Sequence, residues 1–466
     1  MPKSKLSFPW LAAQLGLTLA AGLCLAVAYS LHPWWPAAWL APLFLIGAVS
    51  IDALCASWVG ALAGAIALSL VLGYYVSFSP VAAVIVAVLR ILEWFGAARL
   101  AKKAQRTLPL GVAMLVLPAF MAAFECLTFI VSPHGAAGSL AYSQMDALPV
   151  IQAAAWGGIP AIVFITLLPG SFLAMWVATR PPVKPVIWAV AGLAAIAAPV
   201  ITFAGYRLSE TEARTVPVTV IATDRLHGIP DDWNTVWAVY APVLQISAAT
   251  GGVTVLPEKI ALLPRDDAKR AAQQISEIAV ARHSTIVVGL EVKDGVLYRN
   301  RAVIAQADGR IDWYDKQRPV PGLEARDVPG REPLVVAAQT QLGIAICKDM
   351  HFPDIGRQYA AKAAIMAVPA WDFGQDGWMG ARMTMLRGVE NGYAIARSAR
   401  DGVIGAYDRF GRVIAEATPG DGMSVVTAKL PAGGVATIYS RIGNAFAVIC
   451  ALITGFAVWW GRRQSA

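Results

Sequence analysis

The sequence predicts a multi-span α-helical membrane bundle of about eight spans that carries one α/β domain. Of its 466 residues, 57% are hydrophobic and only 15% are charged, and the mean hydropathy is +0.57. A soluble domain carries roughly 25% charged residues, so this composition indicates a membrane protein. Apolar runs fill the first 206 positions and return near the end of the chain, and the segment between them reads as an ordinary globular domain.

Seven apolar runs precede the globular segment and one follows it. The first run follows a short basic segment, but more apolar runs come after it, so we predict a span and not a cleaved signal peptide. Each run approaches the roughly 20 residues that a bilayer requires. The predicted spans lie at roughly 10–30, 36–52, 56–73, 79–98, 109–131, 156–178, 185–206 and 442–460.

These runs divide the chain into three parts. We predict an N-terminal transmembrane bundle of about seven spans at 1–206 and a catalytic α/β domain at 207–440. A C-terminal transmembrane helix with a short cytoplasmic tail is predicted at 441–466.

Basic residues predict the orientation of the bundle. The loops 31–35, 74–78 and 132–155 contain no lysine or arginine. Because basic loops remain in the cytoplasm, the domain is expected on the extracytoplasmic side. A re-entrant element at 36–73, with its tight turn near Asp52, would require the spans to be recounted. The basic residues on the other side are Lys3, Lys5, Arg99, Lys102, Lys103, Arg106, Arg180, Lys184, Arg462 and Arg463.

The net charge of +8 does not indicate a nucleic-acid partner, because the basic residues largely flank apolar runs. The central segment contains short β-branched runs separated by helical patterns, which is typical of an α/β domain. The predicted strands are 216–222, 252–256, 285–290, 302–306, 342–346, 363–368, 393–397 and 423–427, with helices at 266–283 and 376–392.

Cys347 stands apart from the other cysteines. It ends the strand predicted at 342–346 and has no obvious disulfide partner within the domain. A thiol in this place is either a small buried hydrophobe or a nucleophile held at the edge of a sheet. The other four cysteines fall in or beside apolar runs: Cys24, Cys55, Cys126 and Cys450.

Glu258 and Lys316 occupy comparable places, each at the end of a predicted strand. A thiol of pKa about 8.5 needs a base before it can attack. A carboxylate can take its proton and return it to the leaving group, and an ammonium can stabilise the oxyanion. Such a set performs acyl transfer through a thioester and requires no metal and no cofactor. His351, four residues after Cys347, is an alternative base, and isolated charges at strand ends are also common on solvated edges.

These residues resemble the Glu-Lys-Cys triad of the carbon–nitrogen hydrolase, or nitrilase, superfamily, in order and in approximate spacing. Placed between seven spans and one, such a domain resembles the apolipoprotein N-acyltransferase family in particular. The motifs that carry the resemblance are Pro257-Glu258, Tyr314-Asp315-Lys316, Ile346-Cys347-Lys348-Asp349, Arg387–Asn391, Arg397-Ser398, Asp408–Gly411, Tyr142-Ser143-Gln144, Val320–Glu324, Ala370-Trp371 and Thr437–Gly443.

The resemblance implies a nitrilase-like αββα sandwich and a ping-pong reaction. Cys347 would take a fatty acyl chain from a membrane phospholipid and pass it to an amine acceptor, such as a lipoprotein N-terminus. Glu258 would be the base and Lys316 would stabilise the oxyanion, with Glu324 and Asp349 in support. It also implies a multi-pass protein of the bacterial cytoplasmic (inner) membrane, with its domain on the periplasmic side, and we expect a monomer.

Some residues depart from the family pattern. The family usually has Cys-Tyr-Glu where this chain has Cys347-Lys348-Asp349, and a Gly-Phe-Pro-Trp is replaced by His134–Gly138. We therefore expect retained chemistry in a divergent member whose donor or acceptor differs. A membrane-tethered amidase or nitrilase with water as acceptor is one alternative, and a non-catalytic membrane scaffold is another.

Four aromatic residues are predicted to line a substrate entrance or, alternatively, to pack the domain. In the span at 79–98, Arg90 and Glu93 share a helix face and could pair, although snorkelling towards the membrane surface is the favoured interpretation. Glu125 is expected to bond another span. The aromatic residues are Trp371, Phe373, Trp378 and Tyr142.

Overall fold

The structure, a computed structural model, describes residues 8–211, 214–420 and 422–464. Its contacts divide the chain into two compact units. Unit 1 comprises Met1–Ile130, Gly138–Leu208 and Ile442–Ala466, and unit 2 comprises Val131–Ala137 and Ser209–Arg441. Lys3 and Lys5, which were used to orient the first span, lie outside the described residues.

Most of unit 1 is α-helical, and five further helices in the described part of the chain belong mainly to unit 2. The α-helices are α1 (Phe8–Ala28), α2 (Pro36–Ser50), α3 (Ala56–Ile66), α4 (Leu72–Phe78), α5 (Pro80–Thr107), α6 (Leu110–Val131), α7 (Leu148–Ile151), α8 (Ala154–Thr179), α9 (Val183–Ser209), α10 (Trp233–Ser247), α11 (Arg265–Ala281), α12 (Pro353–Gln358), α13 (Gly377–Asn391), α14 (Ile438–Ile442) and α15 (Ala445–Arg463).

Six helices in the described part of the chain are long and apolar enough to cross a membrane: α1, α5, α6, α8, α9 and α15. The count of about eight spans is not confirmed, because α2 and α3 have only 15 and 11 residues. At 1.5 Å per residue they reach about 22 and 17 Å, less than the roughly 30 Å of a hydrocarbon core. The run predicted at 56–73 is interrupted by turns after Ile66.

Charged side chains inside unit 1 are bonded to one another and to the backbone. Arg90 pairs with Glu93 at 2.5 Å and donates to the carbonyl of Gly138 at 2.7 Å. Both side chains are buried, at 12% and 3% exposure, so the favoured interpretation of snorkelling was wrong. Glu125 accepts hydrogen bonds from Ser139 and from the backbone of Leu140, which joins α6 to the loop that follows it.

Unit 2 contains two mixed β-sheets. The first has the order β13-β1-β2-β4-β5-β6, with β3 paired to β4, and the second has the order β12-β11-β10-β9-β8-β7. The strands are β1 (Thr215–Ala222), β2 (Val253–Val255), β3 (Leu262–Pro264), β4 (Thr285–Asp294), β5 (Leu297–Ala305), β6 (Ile311–Asp315), β7 (Leu334–Ala337), β8 (Gln341–Ile344), β9 (Ile365–Trp371), β10 (Ala394–Arg400), β11 (Ile404–Tyr407), β12 (Val413–Ala417) and β13 (Ser424–Pro431).

The two sheets pack face to face with helices on their outer sides. Alternate residues of β1, such as Val218 and Val220, join a core between the sheets that also contains Ile344 and Ala396 of the second sheet. Ile221, on the opposite face of β1, packs instead in the core formed with α10 and α11. Helices α12 and α13 pack together, and α13 contacts β10 and β11 of the second sheet. The expected αββα sandwich is therefore confirmed.

Candidate active site

Cys347 opens a short 3₁₀ turn, Cys347–His351, three residues after the last residue of β8. Its φ of +43° lies in the left-handed region, which costs a non-glycine residue about 1–2 kcal/mol. Its thiol donates to the carbonyl of Trp371 at 3.6 Å. Burial raises the pKa of this thiol well above its ordinary value, and the charge of Glu258 raises it further. The resting thiol is therefore protonated and needs a base before it can attack.

Lys316 joins two carboxylates at the end of β6. Its ammonium donates to Glu258 at 2.8 Å and to Glu324 at 2.9 Å, and only 1% of its side chain is exposed. Burial alone would lower the pKa of Lys316, but Glu258 and Glu324 raise it well above its ordinary value. Lys316 is thus a fixed positive charge. The predicted triad and Glu324 are brought together, since the charges of both Glu258 and Lys316 act on Cys347.

Asn300, in β5, holds the two carboxylates together and was missed by the sequence analysis. Its amide nitrogen donates to Glu258 at 2.5 Å and to Glu324 at 2.7 Å. The sequence does contain a signal for it. Ala302 and Ile304 of the same strand face the core between the sheets, and the period of two places Asn300 on that face. The predicted strand began at 302, two residues too late to include it.

A second lysine extends this ionic network. Lys259 lies 2.9 Å from Glu324, 2.9 Å from Asp327 and 2.5 Å from Glu291. Burial would raise the pKa of Glu324, but Lys316 and Lys259 lower it to about 2. Burial raises the pKa of Glu291 to about 7 despite Lys259. Glu324 is therefore a permanent carboxylate that holds two lysines, and sequence reasoning missed Lys259, Glu291 and Asp327.

Asp349 connects the nucleophile turn to the end of β6. It is fully buried, and it accepts from the backbone N–H of Ile346 at 3.0 Å and from the Tyr314 hydroxyl at 2.8 Å. The backbone N–H groups of Gln317 and Arg318 also donate to it, at 3.0 and 2.8 Å. Burial raises the pKa of Asp349 to about 6, against the effect of the Ile346 N–H. Asp349 therefore places Cys347 relative to Lys316.

His351 is poorly suited to act as the base. Burial lowers the pKa of His351 well below its ordinary value, and the charge of Lys348 lowers it further. An imidazole with so low a pKa is a weak base, which favours Glu258 for this role. Within the described ranges, no group of three or more His, Cys, Asp or Glu side chains has an arrangement that could hold a metal ion.

The predicted entrance residues lie in different surroundings. Trp371 is fixed by a 2.7 Å hydrogen bond from its indole N–H to Asp401, with Arg400 4.3 Å from its ring centroid. Phe373 is 47% exposed. Trp378, also in unit 2, has Arg382 5.1 Å from its ring centroid. Tyr142 belongs to unit 1 and is buried in the 3₁₀ turn Leu140–Gln144. An entrance formed by these residues remains a prediction.

Two family models match this chain. Residues 21–172 match the apolipoprotein N-acyltransferase N-terminal domain, and residues 233–439 match the carbon–nitrogen hydrolase domain. The second match covers the described strands and helices that position Glu258, Lys316 and Cys347.

Two relatives carry the name apolipoprotein N-acyltransferase. An apolipoprotein N-acyltransferase from Pseudomonas putida is 25% identical over 361 residues, which is 69% of each chain. One from Chlamydia trachomatis serovar D is 26% identical over 234 residues, 41% of this chain and 43% of the relative.

Solved structures of similar proteins include a carbon–nitrogen hydrolase superfamily protein from Xanthomonas campestris. It is 17% identical, covers 51% of this chain and 97% of its own, and has a TM-score of 0.41. An amidase from Nesterenkonia sp. is 20% identical, covers 52% of this chain and 98% of its own, and has a TM-score of 0.42. The two family models together span most of the sequence, and both relatives carry the same name. The chain therefore belongs to the apolipoprotein N-acyltransferase family, within the carbon–nitrogen hydrolase superfamily.

Proposed function

We propose that this protein transfers a fatty acyl chain from a membrane phospholipid to the N-terminal amine of a lipoprotein, through a thioester on Cys347. The observation that carries the proposal is the placement of Lys316. Its ammonium is buried between Glu258 and Glu324, and its charge acts on the Cys347 thiol. This supplies a base, a nucleophile and an oxyanion partner in one site.

In the first half-reaction, Glu258 takes the proton of the Cys347 thiol as the sulfur attacks the ester carbonyl of the phospholipid. The tetrahedral intermediate carries an oxyanion, which the Lys316 ammonium stabilises. Glu258 then gives its proton to the departing glycerol oxygen, so the carbon–oxygen bond breaks and a lysophospholipid leaves. The acyl chain remains on Cys347 as a thioester.

In the second half-reaction, the lipoprotein amine attacks the thioester carbonyl. Glu258, again a carboxylate, takes the proton that the amine loses, and Lys316 again stabilises the oxyanion. The carbon–sulfur bond breaks, the sulfur recovers its proton from Glu258, and the product is an amide. Asp349 holds the nucleophile turn in position, and Asn300 holds the Glu258 carboxylate, through the hydrogen bonds given above.

Product analysis tests this proposal directly. The full chain is incubated in vesicles with a phospholipid labelled in its acyl chain and a peptide that begins with diacylglyceryl-cysteine. We expect the labelled acyl chain on the α-amine of the peptide, detected by mass spectrometry, together with a lysophospholipid. Labelled free acid without acylated peptide would instead indicate a hydrolase with water as acceptor. The absence of both products would refute acyl transfer from phospholipids.

We further propose that the protein lies in the bacterial cytoplasmic membrane with unit 2 on the periplasmic side. Basic residues in the last turns of α5 contact the α2–α3 turn and α15 at one end of unit 1. Asp52, in the turn between α2 and α3, pairs with Lys102 at 3.0 Å and Arg106 at 2.8 Å. Lys103 donates to the carbonyl of Val458 in α15 at 3.2 Å. Basic ends of spans remain in the cytoplasm, so this end supports a cytoplasmic assignment.

The parity of the spans supports the same orientation. Among the described residues, five long apolar helices precede the bulk of unit 2, and the α2–α3 pair adds either two crossings or none. The total is odd in both cases, so the N-terminus and unit 2 are on opposite sides of the membrane. The proposed orientation is therefore the same whether or not α2 and α3 cross the membrane.

A thiol-labelling experiment checks this orientation. Asp231 is exposed in unit 2, and the native Cys55 is exposed beside the basic end of unit 1. In intact spheroplasts, a membrane-impermeant maleimide is expected to label Asp231→Cys but not Cys55. After permeabilisation, both should react. Labelling of Cys55 in intact spheroplasts, with protection of position 231, would reverse the proposed orientation.

A further inference from the structure

Lys348 is a buried cation that the proposed reaction does not use. Its side chain is 3% exposed, and its ammonium has one long hydrogen bond, to the carbonyl of Pro319 at 3.4 Å. No carboxylate lies within 4 Å of this ammonium in the part of the chain that the structure describes. A buried lysine is almost always paired, because an uncompensated charge is costly. The site next to Cys347 is therefore short of an anion.

Among the described residues, the surroundings of Lys348 contain both basic and acidic groups, but none of the acidic groups pairs with its ammonium. Its ammonium lies 5.9 Å from the centroid of the Phe352 ring, and the guanidinium of Arg318 lies 4.8 Å from the same centroid. Arg318 also pairs with the exposed Asp354 at 3.0 Å. Burial, and after it the charge of Lys316, lower the pKa of Lys348 to about 8, while the charges of Glu324 and Asp349 oppose this effect. An anion bound here would offset the repulsion between the two lysines.

The loop that follows α6 contacts the 3₁₀ turn Cys347–His351, which contains Lys348. Segment 131–137 belongs to unit 2, and its Ala136 N–H donates to the carbonyl of His351 at 2.9 Å. Gly135, at φ +60°, packs so closely on this carbonyl and on Phe352 that a Cβ there would collide with the carbonyl. The charge of Lys348 lowers the pKa of both His134 and His351, in addition to the larger effect of burial. Neutral imidazoles can still donate hydrogen bonds to an anion.

We propose that Lys348, which approaches the same Phe352 ring as Arg318, binds the phosphodiester of the donor phospholipid while Cys347 attacks the ester; this inference rests on the proposed function. Lys348 directly follows the nucleophile, so an anion held there keeps the rest of the same molecule near the thiol. A compact ammonium with free N–H donors suits a phosphate oxygen.

The test compares two donors that differ only in the phosphodiester. Acylation of Cys347 is followed by intact-protein mass spectrometry with phosphatidylethanolamine and with a diacylglycerol that has the same acyl chains. Wild-type protein is expected to prefer the phospholipid by about tenfold or more, as one charged hydrogen bond provides. Lys348→Met should lower this ratio towards one, mainly through KM, and Lys348→Arg should retain most of it. The exposed Lys362 supplies the control: Lys362→Met should keep the wild-type ratio.

Three outcomes would overturn the inference. Lys348→Met could keep the wild-type ratio, or it could slow both donors equally, which would place Lys348 in the chemical step. Inorganic phosphate could also inhibit the wild type as strongly as glycerophosphoethanolamine does, which would assign the site to free phosphate. A failure of the proposed function looks different, because the wild type would then form no acyl-Cys347 from either donor.

Discussion

Replacing Cys347 with alanine is expected to abolish acyl transfer, with a fall in rate of about 10⁴-fold or more, as for other enzymes that lose their nucleophile. Glu258 and Lys316 remain in place in this variant, but no atom is left to carry the acyl chain. Stability should change little, because the thiol makes a single long hydrogen bond, to the carbonyl of Trp371 at 3.6 Å. The measurement is the acyl adduct on the intact protein after incubation with labelled phospholipid.

Cys55 provides a matched control for this variant. Cys55 is exposed in unit 1, so Cys55→Ala should retain both the adduct and the transfer rate. Cys347→Ser keeps a hydroxyl in place of the thiol and should react far more slowly, since a serine hydroxyl is the weaker nucleophile at neutral pH. Undiminished transfer by Cys347→Ala would remove the thioester from the mechanism, whatever the other residues do.

The ends of several strands were predictable because a buried strand appears in the sequence as a short run of apolar residues. The predicted strands at 216–222, 285–290 and 393–397 correspond to β1, β4 and β10, with shifts of a few residues at their ends. An apolar run followed by a charged residue marks where a strand leaves the core, and this placed Glu258 and Lys316 beside strand ends. Whether these strand ends lie at one site depends on the order of the strands in the sheets. Only the resemblance to a family indicated that they do.

The network around the triad was not predictable from local pattern. Asn300 and Glu258 are 42 residues apart, and Tyr314 and Asp349 are 35 apart, yet each pair is hydrogen bonded. Hydrophobic periodicity reports which face of a strand is buried, but it does not report which polar groups meet there. Asp349 was assigned a supporting role by analogy only, and its four hydrogen-bond donors give that role a physical basis.

In unit 1, hydropathy predicted the helices but not where two of them end. Composition predicted apolar helices correctly, but it overestimated the length of α2 and α3, because an apolar run continues through turns as readily as through helices. The turns at 51–55 and 67–71 contain mainly apolar or small residues, so hydropathy alone does not mark them. Burial of Arg90 and Glu93 was also misjudged, since Gly138, whose carbonyl accepts from Arg90, is 48 residues away in sequence.

Replacing Lys316 with methionine is expected to destabilise unit 2 as well as inactivate it. Methionine fills a similar volume but leaves Glu258 and Glu324 as buried carboxylates without their shared cation. Removing one partner of a buried ion pair costs about 3–5 kcal/mol of unfolding free energy. Loss of the ammonium that stabilises the oxyanion should also slow acylation of Cys347, by about 10²–10³-fold. Thermal unfolding in detergent and the rate of adduct formation measure the two effects.

Two further variants separate these effects. Lys269 makes an exposed ion pair with Asp266 at 2.9 Å, so Lys269→Met should cost no more than about 1 kcal/mol and leave acylation unchanged. The double variant Lys316→Met with Glu324→Gln removes the charge of one of the two carboxylates that lose Lys316, although Glu324 keeps Lys259 at 2.9 Å in the single variant. It should therefore recover part of the lost stability, because Asn300 still holds Glu258, but it should recover no activity.

The double variant separates the effect of Lys316 on stability from its effect on acylation. If Lys316 served only to neutralise two buried carboxylates, removing Glu324's charge would restore acylation together with stability. If Lys316 stabilises the oxyanion, no change in the carboxylates can replace its N–H donors, and the double variant stays inactive while it unfolds at a higher temperature than Lys316→Met. Acylation at the wild-type rate in either variant would show that the oxyanion is stabilised elsewhere.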